Sequence, residues 1–205
     1  QKGDNTDVVA IHGNFDDAQS GVKKIFSDKE FAKKLSENGI QLSSANSINI
    51  GRLVPQIAYY VYAYVKLLES GDIAAGEKIN VCVPTGNFGN ILAAYIGKQM
   101  GLPVDKLICA SNENKVLFDF FENGVYDRNR KFVLTSSPSM DILISSNLER
   151  LIYLSCGSDG EYVSKLMKDL SAGGKYEVTE AMKDFMKDFI AGFADEKRSE
   201  EHTSE

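Results

Sequence analysis

Short apolar runs of strand length alternate with longer apolar stripes of helical period along this chain. That alternation constrains the fold more than any other feature. Residues 8–12 and 40–44 read as strands, the second running into a polar turn at 45–49. Helical stripes occupy 16–26 (Ala18, Val22, Ile25 and Phe26 on one face), 30–38, closed by Gly39, and 51–69, with Pro55 tolerated in the first turn. Residues 79–83 form a strand, 91–100 a helix, 107–110 a strand and 116–121 a helix. Further helices are expected over 140–154, with Ser139 as N-cap, over 161–170 and over 180–193. The stripe Met182, Phe185, Met186 and Phe189 reads as a docking face, not as a cofactor surface. Strands alternating with helices define an α/β layered fold with a largely parallel sheet.

Composition narrows the function. At 205 residues, 43% hydrophobic and 25% charged, the chain has the make-up of a globular protein. A net charge of −6, with no basic patch interleaved with aromatics, argues against nucleic acid as a partner. The most apolar stretch, 53–68, is interrupted by Pro55, Gln56 and Lys66, so no membrane span is expected. Cys82, Cys109 and Cys156 are isolated and sit in apolar stretches. They read as small buried hydrophobes in a reducing, cytoplasmic compartment and not as a disulfide or metal framework. His12 and His202, the only histidines, make a metal site or catalytic triad a poor expectation. Asp16 and Asp17 are adjacent on a helix and do not face one another, so they read as a helix-start charge pair.

Both ends are expected to depart from a natural boundary. The chain opens on Gln1 and runs directly into an apolar strand, and residues 198–205 match, residue for residue, the in-frame translation of a common short-read sequencing adapter. The expected division is a partial catalytic domain over 1–197 and a non-native tail over 198–205.

The strongest local signal is the tight turn Pro84-Thr85-Gly86-Asn87-Phe88-Gly89-Asn90 between a strand and a helix. Its glycines allow close backbone approach to a ligand. The helix that follows opens with unpaired N–H groups at a positive dipole end, a natural seat for phosphate. The turn is neither a Gly-Lys-Ser/Thr nucleotide loop nor a Gly-x-Gly-x-x-Gly dinucleotide fingerprint. On spacing alone it remains equally readable as an ordinary strand-to-helix turn.

A second polar cluster, Asn46-Ser47-x-Asn49-x-x-Arg52, sets amide and hydroxyl donors on a turn and a guanidinium in the next helix. Such a set suits a phosphate, although a helix cap beside a solvated arginine would use the same residues.

These motifs resemble threonine synthases among the fold-type II pyridoxal-phosphate (PLP) enzymes. The loop at 84–90 is similar to that family's cofactor-phosphate loop. The segments Phe15-Asp16-Asp17-Ala18-Gln19, Ser44-Ala45-Asn46-Ser47-Ile48-Asn49 and residues 137–150 (SPSMDILISSNLER) look like the same family in the same order, over 7–195 in all. The resemblance implies a three-layer fold with helices on both faces of the sheet. It implies pyridoxal 5'-phosphate as cofactor, its phosphate held by backbone N–H groups of Thr85, Gly86, Asn87, Phe88, Gly89 and Asn90. It also implies that Asn46, Ser47 and Arg52 hold the phosphate of O-phosphohomoserine, which is converted with water to threonine and phosphate. The lysine that carries the cofactor is expected upstream, and the partner of the pyridine nitrogen downstream, so the chain alone should be inactive. A sister enzyme of dehydratase or sulfhydrylase type, or a non-catalytic phosphate-binding module, are the alternatives. Neither relative has a substrate phosphate for Asn46, Ser47 and Arg52 to hold. No chemical role for residues 137–141 follows from the sequence.

Overall fold

The computed structural model describes residues 3–13, 15–44 and 49–195. These divide into two compact units, Gln1–Ser44 and Ala45–Glu205.

The first unit carries helices α1 (Phe15–Ser27) and α2 (Lys29–Glu37). Asp28 caps α2, its carboxylate accepting the Phe31 N–H at 2.9 Å. The strand expected over 8–12 is not formed. Val8, Val9 and Ile11 are 64%, 83% and 51% exposed, and the described residues around them make only an isolated bridge between Gly3 and Thr6. An apolar run becomes a strand only beside a neighbour that takes up its N–H and C=O groups, and residues 8–12 have none among the described residues. Residues 40–44 are likewise without strand structure.

The second unit begins with α3 (Ile50–Leu53), a 3₁₀ turn (Val54–Gln56) and α4 (Ile57–Ser70). Pro55, which has no N–H to donate, falls where the expected single helix is broken. Then come β1 (Ile79–Pro84), α5 (Gly89–Gln99), β2 (Val104–Ser111), α6 (Val116–Asn123) and β3 (Val125–Asp127). A 3₁₀ turn (Pro138–Met140) precedes α7 (Leu148–Ser155), α8 (Gly160–Gly173), β4 (Lys175–Glu177), α9 (Glu180–Phe185) and β5 (Phe189–Phe193).

Strands β1, β2 and β5 form a parallel sheet in the order β1-β2-β5, and β3 and β4 form a small antiparallel pair. The α/β class and the parallel sheet are as expected. In register, Val83, Cys109 and Ala191 lie side by side, as do Leu107 and Phe189. This face carries the core: Phe189 meets Tyr95 of α5 at 5.4 Å and Phe121 of α6 at 5.3 Å between ring centroids. Tyr126 and Tyr176 stack at 5.3 Å across the β3-β4 pair. The other face presents the row Cys82, Ile108 and Ile190, with Cys82 exposed and Ile190 45% exposed. Helices α5 and α6 thus meet the sheet on the Phe189 face. Of the three thiols expected to be buried only Cys109 is: Cys156 is half-buried, and Cys82 is exposed because its position on β1 points away from the core.

Two expected helices are shorter than their stripes. The one read over 140–154 begins only at Leu148, and Ser139 lies inside the 3₁₀ turn with no capping bond. The one read over 180–193 stops at Phe185, and 189–193 is instead β5, which pairs with β2. Of the Met/Phe stripe, Met182, Met186 and Phe189 pack into the core at 2%, 5% and 7% exposed, the last from a strand, while Phe185 is 39% exposed and does not.

Candidate functional site

Strand β1 ends at Pro84, and the chain reaches α5 through a turn that nothing in either element completes alone. Thr85 donates its N–H to Ala110 O of β2 at 2.9 Å, and its hydroxyl donates to Val83 O at 2.7 Å. The turn thus starts fixed to the carboxyl end of the sheet, where open α/β folds bind ligands. Phe88 is the anchor at the other side. Its ring is fully buried, 5.9 Å from Phe121 and 5.6 Å from Phe189. To bring the ring inward its backbone takes φ = 66°, in the left-handed region, at the N-cap of α5. Such a conformation costs a non-glycine residue about 1–2 kcal/mol, against the few kcal/mol that burying a phenylalanine contributes.

The left-handed residue of the turn is Phe88 and not one of its glycines. Gly86 is required for another reason. A Cβ there would sit 2.8 Å from Ser139 O and 3.4 Å from Met140 Cα, too close to the backbone of the 3₁₀ turn. What passes close to Gly86 is the protein's own chain.

With Phe88 so placed, no N–H group from Gly86 to Asn90 donates to another described residue. These amides open a helix of eleven residues, where partial positive charge gathers. The Asn90 side chain bridges the turn, donating to Pro84 O at 2.8 Å and accepting the Ile91 N–H at 2.9 Å. Tyr60 of α4 donates to Asn90 O at 2.8 Å, and burial pushes its hydroxyl pKa up to about 12. Cys109 lies beneath the turn. Burial pushes its thiol up to about 12, against a smaller lowering by the Thr85 side chain and a further rise from Cys82. It has no chemical reach at neutral pH.

The carbonyl side of the turn is held by a segment to which the sequence reading gave no role. Ser145 donates its hydroxyl to Gly86 O at 2.8 Å. Asn147 donates both its backbone N–H, at 3.0 Å, and its side-chain amide, at 2.9 Å, to Asn87 O. The carbonyls of Gly86 and Asn87 are thereby occupied within the protein, while the N–H groups of the turn are left for another partner. The signal was visible: Ser145, Ser146 and Asn147 are polar residues in an otherwise apolar stretch, and Ser145 and Asn147 are 6% and 1% exposed. Arg150 reaches back to the Asn147 side-chain oxygen.

Of the second cluster, Asn46 and Ser47 lie outside the described residues. Arg52 is exposed, in the last turn of α3, and Asn49 caps that helix, accepting the Gly51 N–H at 2.9 Å. The neighbouring Leu53 is fully buried in the cluster that contains Ile91 and Leu92 of α5. Arg52 and the cradle thus belong to one packed unit. No group of three or more metal-ligating side chains occurs among the described residues, and no helix among them is long and apolar enough to cross a membrane.

A parallel α/β sheet with an anion-ready turn at the carboxyl end of a strand is the architecture of the fold-type II enzymes. The comparisons narrow this to one family. Over 192 residues the chain is 47% identical to threonine synthase-like 1 of Pongo abelii, covering 92% of this chain and 26% of that protein. It is 40% identical over 211 residues to threonine synthase of Saccharomyces cerevisiae, covering 98% and 39%. Its structure superposes on that of PLP-bound threonine synthase from Brucella melitensis with a TM-score of 0.74 at 42% identity, covering 89% and 37%. No protein-family model matches the chain. By sequence and fold the chain belongs with the threonine synthases. It spans about a quarter to two fifths of the length of these relatives (26–39%).

Proposed function

We propose that this chain is the phosphate-holding part of a threonine synthase, which converts O-phospho-L-homoserine and water to L-threonine and inorganic phosphate. The observation that carries the reading is the turn at 85–90, whose amides open α5 without donating to another described residue while its Gly86 and Asn87 carbonyls are held by Ser145 and Asn147. A site built that way suits a phosphate dianion and repels nothing it needs to bind. The donor set fits pyridoxal 5'-phosphate: the amides of Gly86 to Asn90, with Thr85 fixing the start of the turn, would hold its phosphate. When bound, the cofactor supplies an electron sink for carbanion chemistry on the amino acid. The protein's part is to hold the phosphate in a fixed frame, so that the ring is oriented before substrate arrives.

Arg52, with Asn46 and Ser47, is assigned the phosphate of the substrate. A guanidinium offers a planar pair of donors to two phosphate oxygens. Because that phosphate is also the leaving group, donors placed on it stabilise charge as it departs, which speeds the reaction beyond what binding alone gives. The free thiols Cys82, Cys109 and Cys156 suit a reducing compartment, and the enzyme is assigned to the cytoplasm.

The test uses the full-length parent. Purified with PLP and given O-phosphohomoserine, it should release threonine and phosphate in equal amounts. Phosphate release without threonine would replace this reaction with a different lyase chemistry. No turnover, with PLP bound, would remove the substrate assignment.

A further inference from the structure

Residues 137–141 lie in a stretch that resembles the family, yet neither of the proposed phosphate sites gives them a role. The buried member among them is Asp141, at 6% exposed. Its carboxylate accepts four hydrogen bonds. One oxygen takes the Asn112 side-chain amide at 2.7 Å, the Asn114 side-chain amide at 3.0 Å and the Thr135 hydroxyl at 2.8 Å. The other takes the Thr135 N–H at 3.0 Å. Asn112 and Asn114 follow directly on β2, the strand that receives the Thr85 N–H. Asn114 also exchanges a pair of bonds with the backbone of Val133, at 2.7 and 2.9 Å.

Asp141 therefore joins the end of β2 to the segment 133–141, and that segment runs against the cradle. Ser139 O and Met140 Cα face Gly86 at distances that leave no room for a methyl group. Four residues further on, Ser145 holds Gly86 O, and Asn147 holds Asn87 O. The rear wall of the turn and the clamps on its carbonyls are one continuous stretch of chain, pinned at Asp141.

From this juxtaposition we infer that Asp141 is a positioning residue for the phosphate cradle: its four hydrogen bonds fix the distance between the 139–147 segment and the turn at 85–90, and so the placement of the turn's amides. The inference rests on the reading of that turn as the cofactor's phosphate seat. Replacement by asparagine keeps the shape but removes one acceptor. Whichever way the new amide is turned, its NH₂ faces either the Thr135 N–H or the three donors that met at the first oxygen. The segment must then shift, and the clamps shift with it.

The cradle touches only the phosphate, so a positioning role is read from the difference between PLP and pyridoxal, which lacks that group. In the full-length enzyme, Asp141→Asn should weaken PLP binding about tenfold or more while pyridoxal binding changes less than twofold. A general loss of structure lowers both together, and that result, or no change in either, overturns the proposal. Gly89→Asp, which puts a carboxylate into the cradle, is the control. If it abolishes the preference for PLP over pyridoxal while Asp141→Asn does not, the cradle stands and Asp141 has no part in it. If Gly89→Asp leaves the preference intact, the phosphate sits elsewhere and both readings fall. Should Asp141→Asn not fold, Thr135→Val removes one donor without changing volume, and the same ratio decides.

Discussion

Replacing Gly86 by alanine tests the account of the turn, because the outcome depends on which partner the residue faces. The added Cβ would stand 2.8 Å from Ser139 O and 3.4 Å from Met140 Cα. Ordinary carbon–oxygen contacts begin near 3.3 Å, so about half an ångström must be found. Neither side yields easily. Gly86 O is held by Ser145 at 2.8 Å, and the 139–140 backbone is fixed by the Met140 N–H to Ser137 O bond at 2.9 Å and by Asp141 next to it. Overpacking of this kind costs about 1–3 kcal/mol. Relief by breaking the Ser145 bond costs about 0.5–1.5 kcal/mol, inside the same range. With a urea dependence of about 2 kcal/mol/M, the midpoint should fall by about 0.5–1.5 M. The chain has no tryptophan; near-UV circular dichroism of its tyrosines, Tyr126 and Tyr176 among them, follows the transition in the second unit. The loss should appear with no cofactor present. A midpoint within 0.2 M of wild type, together with lost PLP binding, would show that Gly86 faces the ligand and not the chain.

Phe88→Ala should cost about 3–5 kcal/mol, since the ring is fully buried and the left-handed backbone stays strained; urea midpoints measure it, and a loss under about 1 kcal/mol would refute the anchoring role. The Cys109 thiol, ordinarily near 9.0, is raised to about 12 by burial. Its folded value lies above its unfolded one, so the stabilisation is complete below pH 9 and is lost as pH rises from 9 through 12, at about 1.4 kcal/mol per unit. Unfolding free energies of wild type and Cys109→Ala over that range should converge, and parallel curves would refute the shift. In the full-length enzyme Arg52→Ala should lower kcat/KM for O-phosphohomoserine about ten- to a hundredfold, matching about 1.5–3 kcal/mol for a charged hydrogen bond, and Arg52→Lys should not fully restore it. Unchanged kinetics in the alanine variant would remove Arg52 from the site. Residues 1–197 alone, given PLP and O-phosphohomoserine, should release no threonine, because the resemblance assigns the cofactor-carrying lysine to another part of the enzyme. Turnover with a lysine of this chain trapped by borohydride would reverse that assignment.

The stretch from Ile79 to Gln99 was legible because every local signal agreed: a β-branched run, a turn rich in Gly and Asn, then a helical stripe. The polar run at 145–147 stood out in the sequence, but what it supports was not legible. Leu148, Leu151 and Ile152 repeat as a helix would, yet upstream of them Ile142 is buried from a loop and the helix starts only at Leu148. What holds that loop is Asp141, whose partners lie 6 to 29 positions away. Periodicity cannot report a bond of that kind. Strand β5 was hidden for a related reason. Phe189 continues the spacing of Met182 and Met186, and only its pairing with Leu107 of β2 makes it a strand. The role proposed for the cradle followed from a run of matching motifs, while its geometry, with Phe88 and not a glycine in the left-handed region, had no sequence signature.

The clamps on the cradle also have a consequence in time. Ser145 reaches Gly86 across 59 positions, and Asn147 reaches Asn87 across 60. As the chain is synthesised, the turn emerges long before the residues that hold its carbonyls. At about 5–20 residues per second, some 3–12 seconds separate the two. During that interval nothing holds the turn's carbonyls. If the turn is the cofactor's phosphate seat as proposed, capture comes after the closure of a long loop, and a ribosome-bound chain stalled before residue 145 should not retain PLP through this turn.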